Sequence, residues 1–192
     1  MTPAERYHQV AKLHVRCLDL GFLATLGERF LAQMYEAIDR ADGTVLITEE
    51  RNDQVVGFIT GGTGMGPIYR RMLRNPVRLA LALGPALVQP SRVRRILEIV
   101  RYSGDATLPA GVPDPELLSL AVASEWRGQG VADRLYERLL AEFRASGVDA
   151  FRIIVGEALA PAHRFYQRMG AVAAGEVQVH DGERSAVYVH RL

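Results

Sequence analysis

The residues best placed for chemistry in this chain are two glycines. In Trp126-Arg127-Gly128-Gln129-Gly130-Val131-Ala132 they stand between an apolar run and the start of a helical pattern. The first backbone N–H groups of a helix have no intrahelical partners, and the aligned peptide dipoles add partial positive charge there. Glycines let the backbone come close to a phosphate because no Cβ intervenes, so this turn suits a pyrophosphate, with Arg127 adding a charge-assisted contact. An ordinary strand-to-helix turn has the same glycine count, so the surrounding elements carry the decision. A second glycine stretch, Gly61 to Gly66, does not complete a dinucleotide fingerprint: Pro67 stands where the last glycine is needed. That stretch reads as a flexible hinge into the segment after Pro67.

The elements that must position the turn are legible from periodicity. Val10, Leu13, Cys17 and Leu20, then Phe22, Leu26, Phe30, Met34, Tyr35 and Ile38 recur at helical spacing and predict two helices with a break near Gly21 to Gly27. Thr44 to Thr48 and Gln54 to Thr60 are β-branched runs around a polar turn, an antiparallel hairpin. About forty residues then read as short helices interrupted at Asn75-Pro76, Gly84-Pro85 and Pro90-Ser91, and Asp105 to Pro115 reads as loop. Glu116 to Ala123 is an apolar strand that leads into the glycine turn. The helix from Val131 carries Leu135, Leu139 and Phe143 at spacing four and stops at Gly147. Phe151 to Val155 is a second buried strand, Ala158 to Met169 a helix ended by Gly170, and Val172 to His190 a hairpin turning at Asp181-Gly182. One domain over residues 1–192 with a helical insert at approximately 66–104 accounts for the length.

Two ordered motifs then point to a family. Arg127, Gly130 and Ala132, at the end of an apolar strand, resemble the acyl-CoA signature of the GCN5-related N-acetyltransferases, an Arg or Gln followed by x-x-Gly-x-Gly/Ala. About thirty residues later, Ala162, Tyr166 and Gly170 resemble the same superfamily's A-x-x-x-Y-x-x-x-G helix. The resemblance is clear over Glu116 to Leu192, follows in element order from Glu5 to Thr60, and is silent over the insert. It implies an α/β (α+β) fold: a mixed, mostly antiparallel central sheet flanked by helices, with the helical insert between strands 3 and 4. It also implies that acetyl-CoA is the co-substrate, that Arg127, Gly128, Gln129, Gly130, Val131 and Ala132 hold its pyrophosphate, and that Leu120, Ala121 and Val122 bind the pantetheine arm as an added strand. Two positions depart from the pattern. Leu159 replaces a frequent asparagine, which leaves the arm to rely on backbone, and Ala171 replaces a frequent aromatic.

Transfer to an amine needs the neutral nucleophile, and an alkyl ammonium of pKa near ~10.4 is less than about 0.1% neutral at pH 7. Glu116 stands six residues before Val122, where family members that use a glutamate base carry it; a plain surface carboxylate is an equal reading. Strict alternation puts Glu116, Leu118, Leu120 and Val122 on one face, and any bulge changes that. Glu157 is the reserve base. A backbone N–H near Val122 is placed to polarise the thioester carbonyl. Tyr166 matches the tyrosine beside the thioester sulfur and is assigned general acid, while His163 reads as a surface or cap residue. Cys17, the only cysteine, is far from the signature in sequence and reads as a small buried hydrophobe, which favours direct attack over an acyl-enzyme.

Composition narrows the partners. A formal charge of +1 gives no basic field for nucleic acid, the N-terminus lacks the apolar core of a signal peptide, and the longest apolar run, Leu79 to Val88, is too short to span a bilayer. A cytoplasmic location is expected. The five histidines show no metal-ligand spacing, so no metal is expected. The acceptor reads first as a small-molecule primary amine, an amine, amino acid or amino sugar. A peptide or protein amine, or an acyl-CoA-binding module without catalysis, are the alternatives. Leu20 to Leu23 and Tyr35 read as core before they read as an acceptor pocket. Arg70, Arg71, Arg74, Arg78, Arg92, Arg94, Arg95 and Arg101 face only Glu98 across the insert. Such a segment suits a solvated cover, a lid over the acceptor site, an anionic membrane surface or an acidic carrier protein. The sequence leaves the oligomeric state open, a homodimer included.

Overall fold

The computed structural model describes residues 1–18, 22–87, 108–178 and 184–192. Two helices come first, α1 (Pro3–Cys17) and α2 (Glu28–Arg40), separated by a 3-10 turn at Phe22–Leu26. Thr2 caps α1 in a reciprocal box with Glu5, and Gly27, at φ 87°, turns the chain into α2. The hairpin β1 (Thr44–Arg51) and β2 (Gln54–Gly62) turns through Asn52 and Asp53, both at positive φ, the geometry of a tight two-residue hairpin loop. After α3 (Gly66–Met72) and α4 (Pro76–Leu87) come β3 (Glu116–Val122), α5 (Val131–Ala145), β4 (Ala150–Gly156), α6 (Ala160–Arg168), and the pair β5 (Val172–Gln178) and β6 (Arg184–Arg191). The helical insert therefore lies between β2 and β3 of the described strands.

The six strands form one sheet in the order β1-β2-β3-β4-β6-β5, antiparallel except for β3 with β4. On one face, Leu46, Phe58 and Ala121 pack with Tyr35, Leu31 and Val10 of the first two helices. On the other, Ile47, Ile59, Val122 and Phe151 pack with Leu135, Leu139 and Phe143 of α5. Gly61 lets α5 sit this close, since a Cβ there would stand 2.6 Å from the Phe143 ring.

Two expectations change. Gly61 and Gly62 belong to β2 and serve close packing, so the hinge reading is left with Gly64 at φ 87°. Helix α4 continues through Gly84-Pro85 to Leu87. A proline there removes the bond to the Leu81 carbonyl and crowds it, and it stands within the last turn of the helix. The expected break at Pro90-Ser91, the turn at Asp181-Gly182 and Leu20-Gly21 lie outside the described residues, as do Arg92, Arg94, Arg95 and Arg101. Among the described residues no helix is long and apolar enough to cross a membrane.

Candidate active site

The site begins with a divergence of strands. β3 and β4 pair only at Glu116 with Arg152 and Leu117 with Ile153, and then separate. On its other side β3 stays paired with β2 up to Ala123, whose N–H donates to the Val56 carbonyl at 2.9 Å. That bond fixes the alternation of the ladder: Ala121 and Ser119 turn their backbone groups to β2, while Leu120 and Val122 turn theirs into the gap that β4 has left. Of the three residues expected to meet an extended ligand arm, Leu120 and Val122 therefore turn their backbone N–H groups into the gap and Ala121 does not. The Val122 carbonyl accepts from Arg127 Nε at 3.1 Å and lies 3.7 Å from Cys17 Sγ. The tertiary fold thus brings Cys17 to a strand that stands far from it in sequence.

A bulge sets the direction of Glu116. The β2–β3 register shifts between Thr60 and Gly61, whose partners are Ser119 and Leu117, so Leu118 is the extra residue. Strict alternation is broken. Leu117, Leu120 and Val122 face α5, whereas Leu118 and Ala121 pack with the first two helices. Glu116, next to Leu117, shares the face of α1 and α2 and not that of Leu120 and Val122. Its carboxylate takes Arg152 Nε at 2.8 Å, and Arg152 also donates to the Pro113 carbonyl at 3.1 Å. Burial raises the Glu116 carboxyl above the ordinary glutamate value, and the Arg152 charge and hydrogen bond oppose the rise only in part. Sequence reasoning missed Arg152, although it is the one charge inside the run Phe151 to Val155.

On the same face runs a buried polar chain that periodicity could not show. His14 Nδ1 meets the Tyr35 hydroxyl at 2.5 Å, Tyr35 pairs with Ser119, and Ser119 Oγ meets Thr60 Oγ1 at 2.6 Å, across the bulge. Tyr35 is fully buried, so it is core and not pocket lining. Burial pushes His14 down to about 4, which keeps it neutral near pH 7.

The glycine turn has the shape anticipated. Gly128 and Gly130 are left-handed, at φ 73° and 72°, and α5 has no side-chain cap. Its first internal bond runs from the Arg134 N–H to the Gly130 carbonyl, so the N–H groups of Val131, Ala132 and Asp133 have no helical acceptor. Gln129 closes the turn through Nε2 on the Glu125 carbonyl at 2.9 Å, and no described residue hydrogen-bonds the terminal nitrogens of Arg127. Asp133 is turned to Arg168 of α6 at 2.5 Å, and that contact holds its carboxyl below the usual range.

Tyr166 lies on α6, 7% exposed, in the cluster that contains Val122, Val131 and Tyr136. No described residue hydrogen-bonds its hydroxyl, and burial pushes its pKa up, so the phenol keeps its proton. One turn earlier His163 is half-buried, with Nε2 3.1 Å from the Gly156 carbonyl and Nδ1 2.9 Å from the Tyr188 hydroxyl. A carbonyl only accepts, so in neutral His163 Nε2 carries the hydrogen and Tyr188 donates to Nδ1. The residue fastens α6 to the end of β4 and to β6, which is more than a surface cap. Glu157, the reserve base, is exposed beyond β4.

The acetyltransferase (GNAT) family model matches residues 7–171. This chain belongs to the GNAT acetyltransferase family. No curated protein matches it significantly. Its fold is similar to that of a candidate GNAT acetyltransferase from Desulfovibrio desulfuricans, at 17% identity, 95% and 92% coverage of the two chains and a TM-score of 0.57. It is also similar to a ribosomal-protein-alanine N-acetyltransferase from Brucella melitensis, at 19% identity, 86% and 79% coverage and a TM-score of 0.52. A candidate streptothricin acetyltransferase from Bacillus anthracis, in complex with acetyl coenzyme A, matches at 11% identity, 82% and 68% coverage and a TM-score of 0.52. As a GNAT member the chain is an acyl-CoA-dependent acyltransferase, and its mixed sheet flanked by helices is the family's fold.

Proposed function

We propose that this GNAT member moves an acetyl group from acetyl-CoA to the primary amine of a small molecule, by direct attack in a ternary complex. The observation that carries the reading is the gap beside β3: a strand whose Leu120 and Val122 N–H groups face the gap leads through the glycine turn to an uncapped helix start. A pantetheine arm pairs with the strand and its pyrophosphate meets the N–H groups of Val131 and Ala132. Arg127, Gly128, Gln129 and Gly130 form the turn around it. The acetyl-CoA complex of the Bacillus anthracis protein supports acetyl-CoA as the acyl donor.

The chemistry follows from the side chains. Glu116, held by Arg152 and raised by burial, is a stronger base than an exposed carboxylate and takes a proton from the acceptor ammonium. The neutral nitrogen attacks the thioester carbon, and the Val122 N–H donates to the oxygen that gains charge. As the carbon–sulfur bond breaks, its electron pair stays on sulfur and Tyr166 supplies the proton that makes the thiol. The attacking nitrogen gives up its second proton as the amide forms, and that proton restores the Tyr166 phenol through solvent. No histidine or carboxylate among the described residues hydrogen-bonds Cys17, so nothing there activates it as an acyl carrier.

Acetyl-CoA and CoA titrated calorimetrically against the wild type and Gly130→Glu test the cofactor half. Micromolar binding by the wild type, lost in a folded variant, is the expected result. Thiol release on adding a panel of amines, amino acids, amino sugars and peptides tests the acceptor half. The fold likeness reaches both a ribosomal-protein-alanine N-acetyltransferase and a candidate streptothricin acetyltransferase, so a peptide amine is the second reading. Binding without thiol release on any amine would leave a non-catalytic acyl-CoA module.

A further inference from the structure

Across the α3–α4 corner the exposed side chains are of two kinds. Leu73, Val77 and Leu81 are 61%, 69% and 71% exposed, three of the six strongly exposed large apolar residues among those described. Val77 and Leu81 are one turn apart on α4, and Leu73 caps the end of α3 just before the corner. Between and beside them stand Arg70, Arg74 and Arg78, all exposed, with Arg71 half-buried. Only Arg78 has an acidic partner among the described residues, Glu36 of α2 at 2.7 Å. The inner face of α4 is occupied, because Ala82 is buried and Leu79 and Leu83 pack on the core. The helix therefore carries Val77 and Leu81 outward, where no described residue covers them.

A second feature adjoins this pair. Leu81 forms one wall of an open cavity of about 300 Å³ between α1, α2 and α4, where His8, Arg29, Gln33 and Arg78 also line the space. Gln33 donates to the Arg78 carbonyl at 3.0 Å, and His8 is 3.9 Å from Glu28. Arg29 has no ion-pair partner among the described residues. Arg29 and Leu81 thus stand on the same open cavity.

We propose that the outer face of α3 and α4 docks on an anionic lipid surface, with Leu73, Val77 and Leu81 in the acyl boundary and Arg70, Arg74 and Arg29 on lipid phosphates. Exposed aliphatics on the outside of a helix, flanked by long cationic side chains, fit the graded apolar-to-anionic interface of a bilayer. Protein partners instead anchor in pockets around aromatic and arginine hot spots, and Leu73, Val77 and Leu81 include no aromatic. An acidic protein is thus the less suited occupant. The docking does not depend on which amine is acetylated.

The test is flotation of the 192-residue chain with vesicles of phosphatidylcholine alone and with about one-third phosphatidylglycerol, beside soluble polyglutamate, at low and high salt. Binding to the anionic vesicles only, weakened by salt, is expected. Val77→Ser with Leu81→Ser, and separately Arg70→Gln with Arg74→Gln, each lower the partition coefficient by about tenfold or more. These side chains are exposed, so the variants keep the wild-type melting temperature and thiol-release rate on soluble substrates. Absence of vesicle binding overturns the proposal, as does equal binding to neutral vesicles or binding unchanged by both variants. Capture by polyglutamate without vesicle binding also overturns it, and gives the surface to an acidic protein.

Discussion

At Tyr166 a single hydroxyl separates catalysis from binding. Tyr166→Phe removes a proton donor that no described residue uses, so stability changes by less than about 1 kcal/mol while kcat falls about a hundredfold or more. Acetyl-CoA affinity stays within about twofold in calorimetry, and an unchanged kcat would remove the general-acid role. Cys17 poses the opposite question, because the fold places its sulfur 3.7 Å from the Val122 carbonyl. In a ternary-complex mechanism Cys17→Ala retains kcat within about threefold and initial-rate plots intersect. Parallel plots with a dead variant would make it an acyl carrier. Glu116 gives a pH signature. Its folded carboxyl lies above the ordinary value, so the acidic limb of the kcat/KM profile sits higher than for an exposed glutamate. Arg152→Met removes the charge that opposes the rise and moves that limb higher still, and Glu116→Gln abolishes it.

The α5 start and the β3 bulge are the elements on which these side chains depend. A Cβ at Gly130 meets Arg134 Nη1 at 3.2 Å, and φ 72° is a conformation other residues adopt at a cost of about 1 kcal/mol. Gly130→Ala therefore lowers stability by about that amount in urea titration, whereas Gly130→Glu adds a carboxylate where the pyrophosphate belongs and weakens acetyl-CoA binding by at least about tenfold. Gly61→Ala tests packing away from the turn: a Cβ 2.6 Å from Phe143 Cζ forces α5 off β2 and costs about 1–3 kcal/mol, with a fall in melting temperature. Tyr35, Ser119 and Thr60 occupy the hydrogen-bonding space on the face where the bulge places two side chains in succession. They hold the bulge, and with it the direction of Glu116.

At the scale of the whole molecule, the buried His14 ties stability to pH. Its folded pKa is about 4, below the ordinary 6.5, so it favours the folded state while neutral and opposes it once the unfolded chain takes a proton. The contribution is full above pH 6.5 and is lost as pH falls toward 4, by about 3 kcal/mol over the window. His190, also pushed down by burial, adds in the same direction. Denaturant titrations at pH 7 and pH 4.5 should show the loss, and His14→Gln should reduce it. An equal loss in that variant would assign the acid sensitivity elsewhere.

Periodicity alone determined the element order, because a helix or strand burying one face must repeat its apolar residues at its own period. The spacing of Arg127, Gly130 and Ala132 with Ala162, Tyr166 and Gly170 determined the family resemblance, since backbone approach to a phosphate needs glycine at particular turn positions. The tertiary structure decided what depends on residues distant in sequence. Neither Arg152 beside Glu116, nor Cys17 at Val122, nor the Leu118 bulge follows from local pattern: a bulge is a mismatch between two strands, and a contact across the sheet is set by register. The outward pair on α4 belongs there too, for Val77 and Leu81 are apolar at helical spacing, and only the packing of Ala82 and Leu83 shows that they face away from the core.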